Sequence, residues 1–286
     1  MPMLHTDDDR HGLWSGLGRR LAAAATVRGV QINLRVALAM LIWLACAIPP
    51  TAWAIVGGKL ARPADWRAVA RLHTRDEQHC SAVLVGPRVV LTAAHCVADP
   101  SHPTEVEFRG VRIRARMIVS PDYADPFLDG LDLAVGVLEL APAGVTPIPV
   151  TDGVEVLRVG DAVTLLGFGC CSPGREGGEL RIANSEVLSV GDHFFDTGDP
   201  SAPVWEGPGL CYGDSGGPAL APAAHGLRVV GVHSQGVSNA CIAKEARLDS
   251  ATARAFLRSV AVEQQVVICG VTSPCAPSPD PRIRRR

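Results

Sequence analysis

Apolar residues in this chain come in valine-rich runs at strand spacing, not at helical spacing, and this restricts the fold more than any other feature. Such runs cover Ser81–Val85, Val106–Ile118, Leu133–Leu140, Ala162–Phe168, Glu186–Val190 and Val229–His233, each bounded by turn residues. With 29 glycines and 22 prolines as punctuation and only 5% aromatic residues, the pattern predicts an all-β sandwich or barrel. One stretch near the end has helical period. Ala253, Phe256, Leu257 and Val260 fall on one face behind Asp249 or Ser250, either of which can cap a helix. At 286 residues the chain accommodates one large domain or two modest ones.

Three short segments carry chemistry. Gly213-Asp214-Ser215-Gly216-Gly217-Pro218 sets a serine in a glycine-rich turn. A serine hydroxyl is a poor nucleophile unless a base takes its proton and donors stabilise the oxyanion that forms. Flanking glycines let backbone N–H groups converge without Cβ crowding. Alone, the hexapeptide reads equally well as a surface turn. Upstream, the apolar strand Val89-Val90-Leu91 runs through Thr92-Ala93-Ala94 into His95 and Cys96, and Leu131-Asp132-Leu133-Ala134-Val135 embeds a carboxylate in an apolar run. A buried aspartate needs a partner, and a histidine N–H is the natural one. Together the three segments supply nucleophile, base and orienting carboxylate in the order His, Asp, Ser.

These segments, with Ile55-Val56-Gly57-Gly58 ahead of them in the same order, resemble the trypsin/chymotrypsin-like serine peptidases over roughly residues 55 to 262. The resemblance implies two packed six-stranded antiparallel β-barrels with a C-terminal α-helix and a cleft between the barrels. It implies His95 as general base and acid, Asp132 as the group fixing its tautomer, Ser215 as nucleophile, and the N–H groups of Gly213 and Ser215 as the oxyanion hole. Asp129 is a rival carboxylate, but Asp132 has the matching apolar context. The expected divisions are residues 1–54 as an export segment, 55–262 as the peptidase domain (barrels about 55–150 and 151–262, joined near Pro142 to Gly153), and 263–286 as a partly disordered extension.

Nine cysteines point to an oxidising compartment. Cys46 lies in the export segment. The resemblance pairs Cys80 with Cys96 and Cys211 with Cys241; Cys170, Cys171, Cys269 and Cys275 are left with three connectivities, the bond between adjacent Cys170 and Cys171 ranking last. Zinc-ligand spacings are missing from the sequence, so neither a metal nor another cofactor is expected.

Arg35, the apolar run Val36 to Ile48 and the small residues Ala52 and Ala54 around Trp53 read as a secretory signal, giving an extracellular or periplasmic protein that meets the membrane only during export. A retained anchor is the alternative, disfavoured by the short run and by Pro49-Pro50. A net charge of −2 offers no electrostatic case for nucleic acid, and the tail from Arg282 to Arg286 reads as a solvated end. The partners implied are a polypeptide substrate and protein protease inhibitors, with a monomer as the expected state.

Specificity and activation follow from single positions. Six residues before Ser215, where trypsin-type members of the family carry an aspartate, stands Gly209. Without a carboxylate to offset desolvation of Arg or Lys, cleavage after uncharged residues is expected. Ser234 and Gly236 match the segment whose backbone pairs with substrate, with Gln235 where an aromatic is usual. Glu245, in an unusually short loop after Cys241, is a charge within reach of the pocket. The other histidines (His73, His79, His102, His193, His225, His233) read as loop or packing residues, His233 being nearest the cleft. Family members mature when a cut frees an α-ammonium that pairs with the aspartate before the serine; here these are Ile55 and Asp214. Two other classes fit the sequence less well: an inactive binding or regulatory homologue on the same fold, which would lose a triad residue or the N-terminal Ile, and an α/β-hydrolase, whose Gly-x-Ser-x-Gly elbow and Ser-Asp-His order are missing.

Overall fold

A computed structural model describes residues 26–27, 30–31, 55–74, 79–97, 103–123, 130–153, 156–169, 178–199, 201, 208–224, 226–237 and 242–275. The chain divides into two units, Met1–Thr51 and Ala52–Arg286. Of the first, only β1 (Thr26–Val27) and β2 (Val30–Gln31) are described, an antiparallel pair with Val27 opposite Val30. The expected signal run Val36 to Ile48, Cys46 and residues 52 to 54 lie outside the described residues.

In the second unit β3 (Lys59–Leu60) precedes a closed barrel of β4 (Val69–His73), β5 (His79–Gly86), β6 (Val89–Thr92), β7 (Thr104–Phe108), β8 (Val111–Val119) and β9 (Ala134–Leu138), ordered β4-β5-β6-β9-β8-β7. Every pairing in it is antiparallel. The apolar run expected over Val106–Ile118 is two strands, because Arg109 and Gly110 both take positive φ (54° and 85°), the conformation of a two-residue hairpin turn. Burial alternates along β7, as on a half-buried sheet face, but is continuous from Cys80 along β5, whose outer side is covered by other segments.

The second barrel comprises β10 (Ala162–Gly167), β11 (Arg181–Val190), β12 (Phe194–Gly198), β13 (Pro218–Ala223), β14 (Gly226–Val237) and β15 (Ile242–Arg247), ordered β10-β13-β14-β15-β12-β11 and closed by pairing of β10 with β11; β3 extends its edge beside β11. Helix α1 (Ala251–Glu263) follows, its N-terminus capped by Ser250 Oγ accepting from Ala253 N at 3.2 Å. The helix buries the expected face of Ala253, Phe256, Leu257 and Val260, at roughly 1.5–3 kcal/mol per large apolar side chain.

Between the barrels, Val150 N donates to Cys269 O and Thr151 N to Val229 O. Cys269 N donates in turn to Val85 O, so the chain after α1 is stitched to the first barrel. Cys269 and Cys275 close locally as a disulfide. Residues 276–286, with the basic tail, lie outside the described residues, as do Cys170 and Cys171.

Candidate active site

Strand β6 delivers the histidine. Its apolar residues Val89 to Leu91 anchor it in the barrel, and Ala93 leads into a single 3₁₀ turn, Ala94–Cys96, that sets His95 at the barrel's rim. The disulfide from Cys96 to Cys80 ties that turn to β5. Fully buried Leu131 and Leu133 hold Asp132 between them at 0% exposure. Its carboxylate accepts His95 N–H at 2.9 Å and faces His95 Nδ1 at 2.7 Å, while Ser234 Oγ donates to it at 2.5 Å. Burial works against the charge, but the hydrogen bonds from His95 and Ser234 outweigh it and hold the Asp132 carboxyl below the ordinary value. With Nδ1–H donated to this carboxylate, Nε2 carries the ring's lone pair.

The serine turn is held through its backbone. Asp214 N donates to Cys211 O, Gly216 N to His233 O and Gly217 N to Asp214 O. The N–H groups of Gly213 and Ser215 donate to no described residue. Gly213 has φ +91°, and a Cβ at Gly216 would lie 2.1 Å from Thr92 Oγ1 and 2.2 Å from Ser81 O, so only glycine lets the turn approach the first barrel. Ser81 N donates to Ser215 O at 2.7 Å, and Cys96 Sγ lies 3.7 Å from the same oxygen. Ser215 therefore sits against the residue next to His95. No hydrogen bond joins its hydroxyl to the ring among the described residues. The rival Asp129 lies outside them.

Asp214 turns away from the cleft and is fully buried. Its Oδ2 accepts Ile55 N at 3.0 Å and Cys211 N at 2.8 Å, and its Oδ1 accepts Gly169 N at 2.8 Å. Burial pushes its pKa up despite these bonds and nearby His233. A Cβ at Gly167 would lie 2.1 Å from Oδ1, and one at Gly169 2.6 Å from Cγ, so these two glycines form the cradle. Sequence reasoning did not assign them, although paired glycines at the end of an apolar strand signal close backbone approach. Ile55 is fully buried with φ +40°, a strained value for a β-branched residue.

At the expected pocket base, Gly209 pairs antiparallel with Val56, accepting its N–H at 2.8 Å. Cys211 is disulfide-bonded; Cys241 lies outside the described residues. A Cβ at Gly236 would meet Leu210 O at 2.8 Å, which leaves no room there for a side chain. Glu245 is fully buried and faces His233 Nδ1 at 2.7 Å, while His233 Nε2 faces Leu166 O at 3.1 Å. The Leu166 carbonyl can only accept, so Nε2 carries a hydrogen and donates to it. Burial opposes a charge on this ring, but Glu245 in contact and Asp214 nearby outweigh it and raise the His233 pKa. His233 is thus a fully buried residue with both ring nitrogens hydrogen-bonded, more than a packing residue. Cys80, His95 and Cys96 converge within metal-ligand range, yet the two sulfurs are bonded to each other and are not thiolates.

Two closed antiparallel barrels, with a histidine–carboxylate pair on one beside a glycine-rich serine turn from the other, define the double-barrel class of serine hydrolase fold. The family model described as Trypsin matches residues 55–252, and the chain belongs to the trypsin family of serine peptidases. It is 31% identical over 203 residues to a trypsin of Saccharopolyspora erythraea, covering 64% of this chain and 86% of that one. It is 30% identical over 182 residues to brachyurin of Leptuca pugilator, covering 57% and 80%. Among solved structures, human heparin binding protein superposes with a TM-score of 0.57 at 22% identity, covering 72% of this chain and 96% of that one, a likeness of fold.

Proposed function

We propose that this protein is a secreted serine endopeptidase that cleaves polypeptides through an acyl-enzyme on Ser215. The reading rests most on the His95–Asp132 pair set beside a turn whose Gly213 and Ser215 N–H groups donate to nothing else described. His95 Nε2 takes the hydroxyl proton as Oγ attacks the scissile carbonyl, and those two N–H groups receive the oxyanion. The tetrahedral adduct collapses as His95 returns the proton to the leaving amine, which departs and leaves an ester on Ser215. Water, activated by the same nitrogen, hydrolyses that ester. Asp132 stabilises the imidazolium at each stage. The Ser215–His95 contact is expected to tighten when substrate fills the cleft, as commonly happens in unliganded sites.

The uncharged-residue preference is supported by Gly209 and by how charges near the pocket are engaged. Glu245 is paired with His233, Arg247 with Asp249, and Lys244 Nζ lies 5.2 Å from the centre of the Phe194 ring. Ser234 and Gly236 offer backbone to the substrate strand, although the Ser234 hydroxyl is spent on Asp132. We place the mature N-terminus at Ile55, freed by signal peptidase, with its ammonium on Asp214 and the peptidase domain running through about residue 262. Secretion fits the disulfides of the described residues, none of whose helices is long and apolar enough to cross a membrane.

Purified protein beginning at Ile55 tests this reading against a peptide library. Cleavage after apolar or small residues, lost by several orders of magnitude in Ser215→Ala, is the expected result. Undiminished hydrolysis by Ser215→Ala refutes the mechanism; preferred cleavage after Arg or Lys refutes the pocket assignment.

A further inference from the structure

Ser81, the second residue of β5 to be buried, belongs to none of the catalytic assignments, yet it binds the catalytic turn at two points. It is fully buried, and every polar atom it owns is engaged. Its N–H donates to Ser215 O at 2.7 Å, and its carbonyl accepts from Thr92 Oγ1 at 2.9 Å. Its hydroxyl donates to Gly213 O at 2.8 Å and accepts from Phe168 N at 3.0 Å. Gly213 and Phe168 are 132 and 87 residues away in sequence and both belong to the second barrel's side of the cleft.

Peptide planes give these contacts a meaning. The Ser215 N–H lies in the peptide group joining Asp214 to Ser215. The group before it presents Gly213 O, and the group after it presents Ser215 O. Ser81 holds both, one through its hydroxyl and one through its backbone, so the plane between them is fixed from either side. Orientation of the Gly213–Asp214 group also constrains how Gly213, at φ +91°, aims its own N–H. Phe168 lies between the two glycines that cradle Asp214, so the hydroxyl also links that cradle to the turn.

We propose that the Ser81 hydroxyl is a positioning residue for the oxyanion site, holding the Gly213–Asp214 peptide so that the Gly213 and Ser215 N–H groups converge. The proposal rests on those groups being the oxyanion donors of a working peptidase. Ser81 does not touch substrate. Removing its hydroxyl leaves Gly213 O without its donor and Phe168 N without its acceptor, both in a partly buried place.

The test compares wild type, Ser81→Ala, Ser81→Cys and Ser81→Thr in protein beginning at Ile55. It reads kcat and KM on a peptide ester and the inhibition constant of a peptidyl trifluoromethyl ketone, whose adduct places an oxyanion in the hole. Loss of a direct oxyanion donor costs about 100- to 1000-fold, so an indirect loss is expected at about 10- to 100-fold in kcat, with KM within about twofold. The ketone should weaken by the same factor as kcat, and Thr should exceed Ala. Cys keeps the volume with a poor donor and gives the same reading should Ala fail to fold. Wild-type kcat in either Ala or Cys overturns the proposal, as does a loss confined to KM. A wild type that hydrolyses nothing overturns the peptidase reading itself and the proposal with it.

Discussion

One residue added before Ile55 should disable the enzyme without unfolding it. In the uncut chain Ile55 N is an amide, and it already lies 3.0 Å from Asp214 Oδ2 in a site with no exposure. The φ of +40° at Ile55 exists only because a carbonyl precedes it; strain of this kind costs about 1–3 kcal/mol and is released when that bond is cut. The cut also replaces a neutral donor by an ammonium in contact with a buried carboxylate. Leaving such a charge without its partner costs about 3–5 kcal/mol. If that energy holds the turn in its competent form, losing it lowers activity by about two to four orders of magnitude. One extra residue displaces the ammonium by about 3.5 Å, beyond contact. The assay compares kcat/KM and active-site titre for proteins beginning at Ile55, at an added alanine, and at Ala52. pH adds an independent sign. Burial raises the Asp214 pKa in the uncut chain, so the folded form binds more protons than the unfolded one between their two pKa values. Stability should therefore fall as pH rises through that window for protein beginning at Ala52, and fall less for protein beginning at Ile55. Equal activity in all three proteins would refute the reasoning.

Asp132→Asn should lower kcat by about 10⁴-fold, because an amide offers the ring an N–H and selects the tautomer with its lone pair on the wrong nitrogen. The carboxyl's depressed pKa makes its stabilisation present above the ordinary carboxylate value and lost as pH falls through the folded one, so this acid-side loss should vanish from the variant's melting profile. His233→Leu strands Glu245 in the core and should destabilise the protein by about 3–5 kcal/mol in denaturant unfolding. The raised His233 pKa makes its contribution complete below the ordinary histidine value and lost as pH rises through the folded one; wild type should show that alkaline decline and the variant should not.

The sequence made the strands, the helix and the three segments that carry His95, Asp132 and Ser215 legible because each leaves a local signature. Apolar runs marked β7 and β10, the capping pair Asp249 and Ser250 with the helical spacing behind it announced α1, and small residues around His95 and Ser215 marked close backbone passages. The turn at Arg109-Gly110 was hidden because an arginine at positive φ is unusual and the apolar run continues past it. Ser81, Gly167 and Gly169 were hidden for another reason. Their roles come from contacts across 45 to 132 residues of sequence, between β5, the end of β10 and the serine turn. His233 and Glu245 are adjacent only through the register of β14 against β15, which the sequence does not state. A lone histidine and a lone glutamate there look like a packing residue and a free pocket charge, and pairing changes both.

Covalent labelling tests the central claim most directly. Protein beginning at Ile55 is treated with diisopropyl fluorophosphate, in which a serine oxygen attacks phosphorus and fluoride leaves, and the adduct is located by mass spectrometry. A single adduct on Ser215, absent from the His95→Ala protein, is the predicted result, because only the hydroxyl beside that ring and the two turn N–H groups is both deprotonated and stabilised in attack. An unlabelled Ser215 in folded protein, or equal labelling once His95 is gone, would contradict the account.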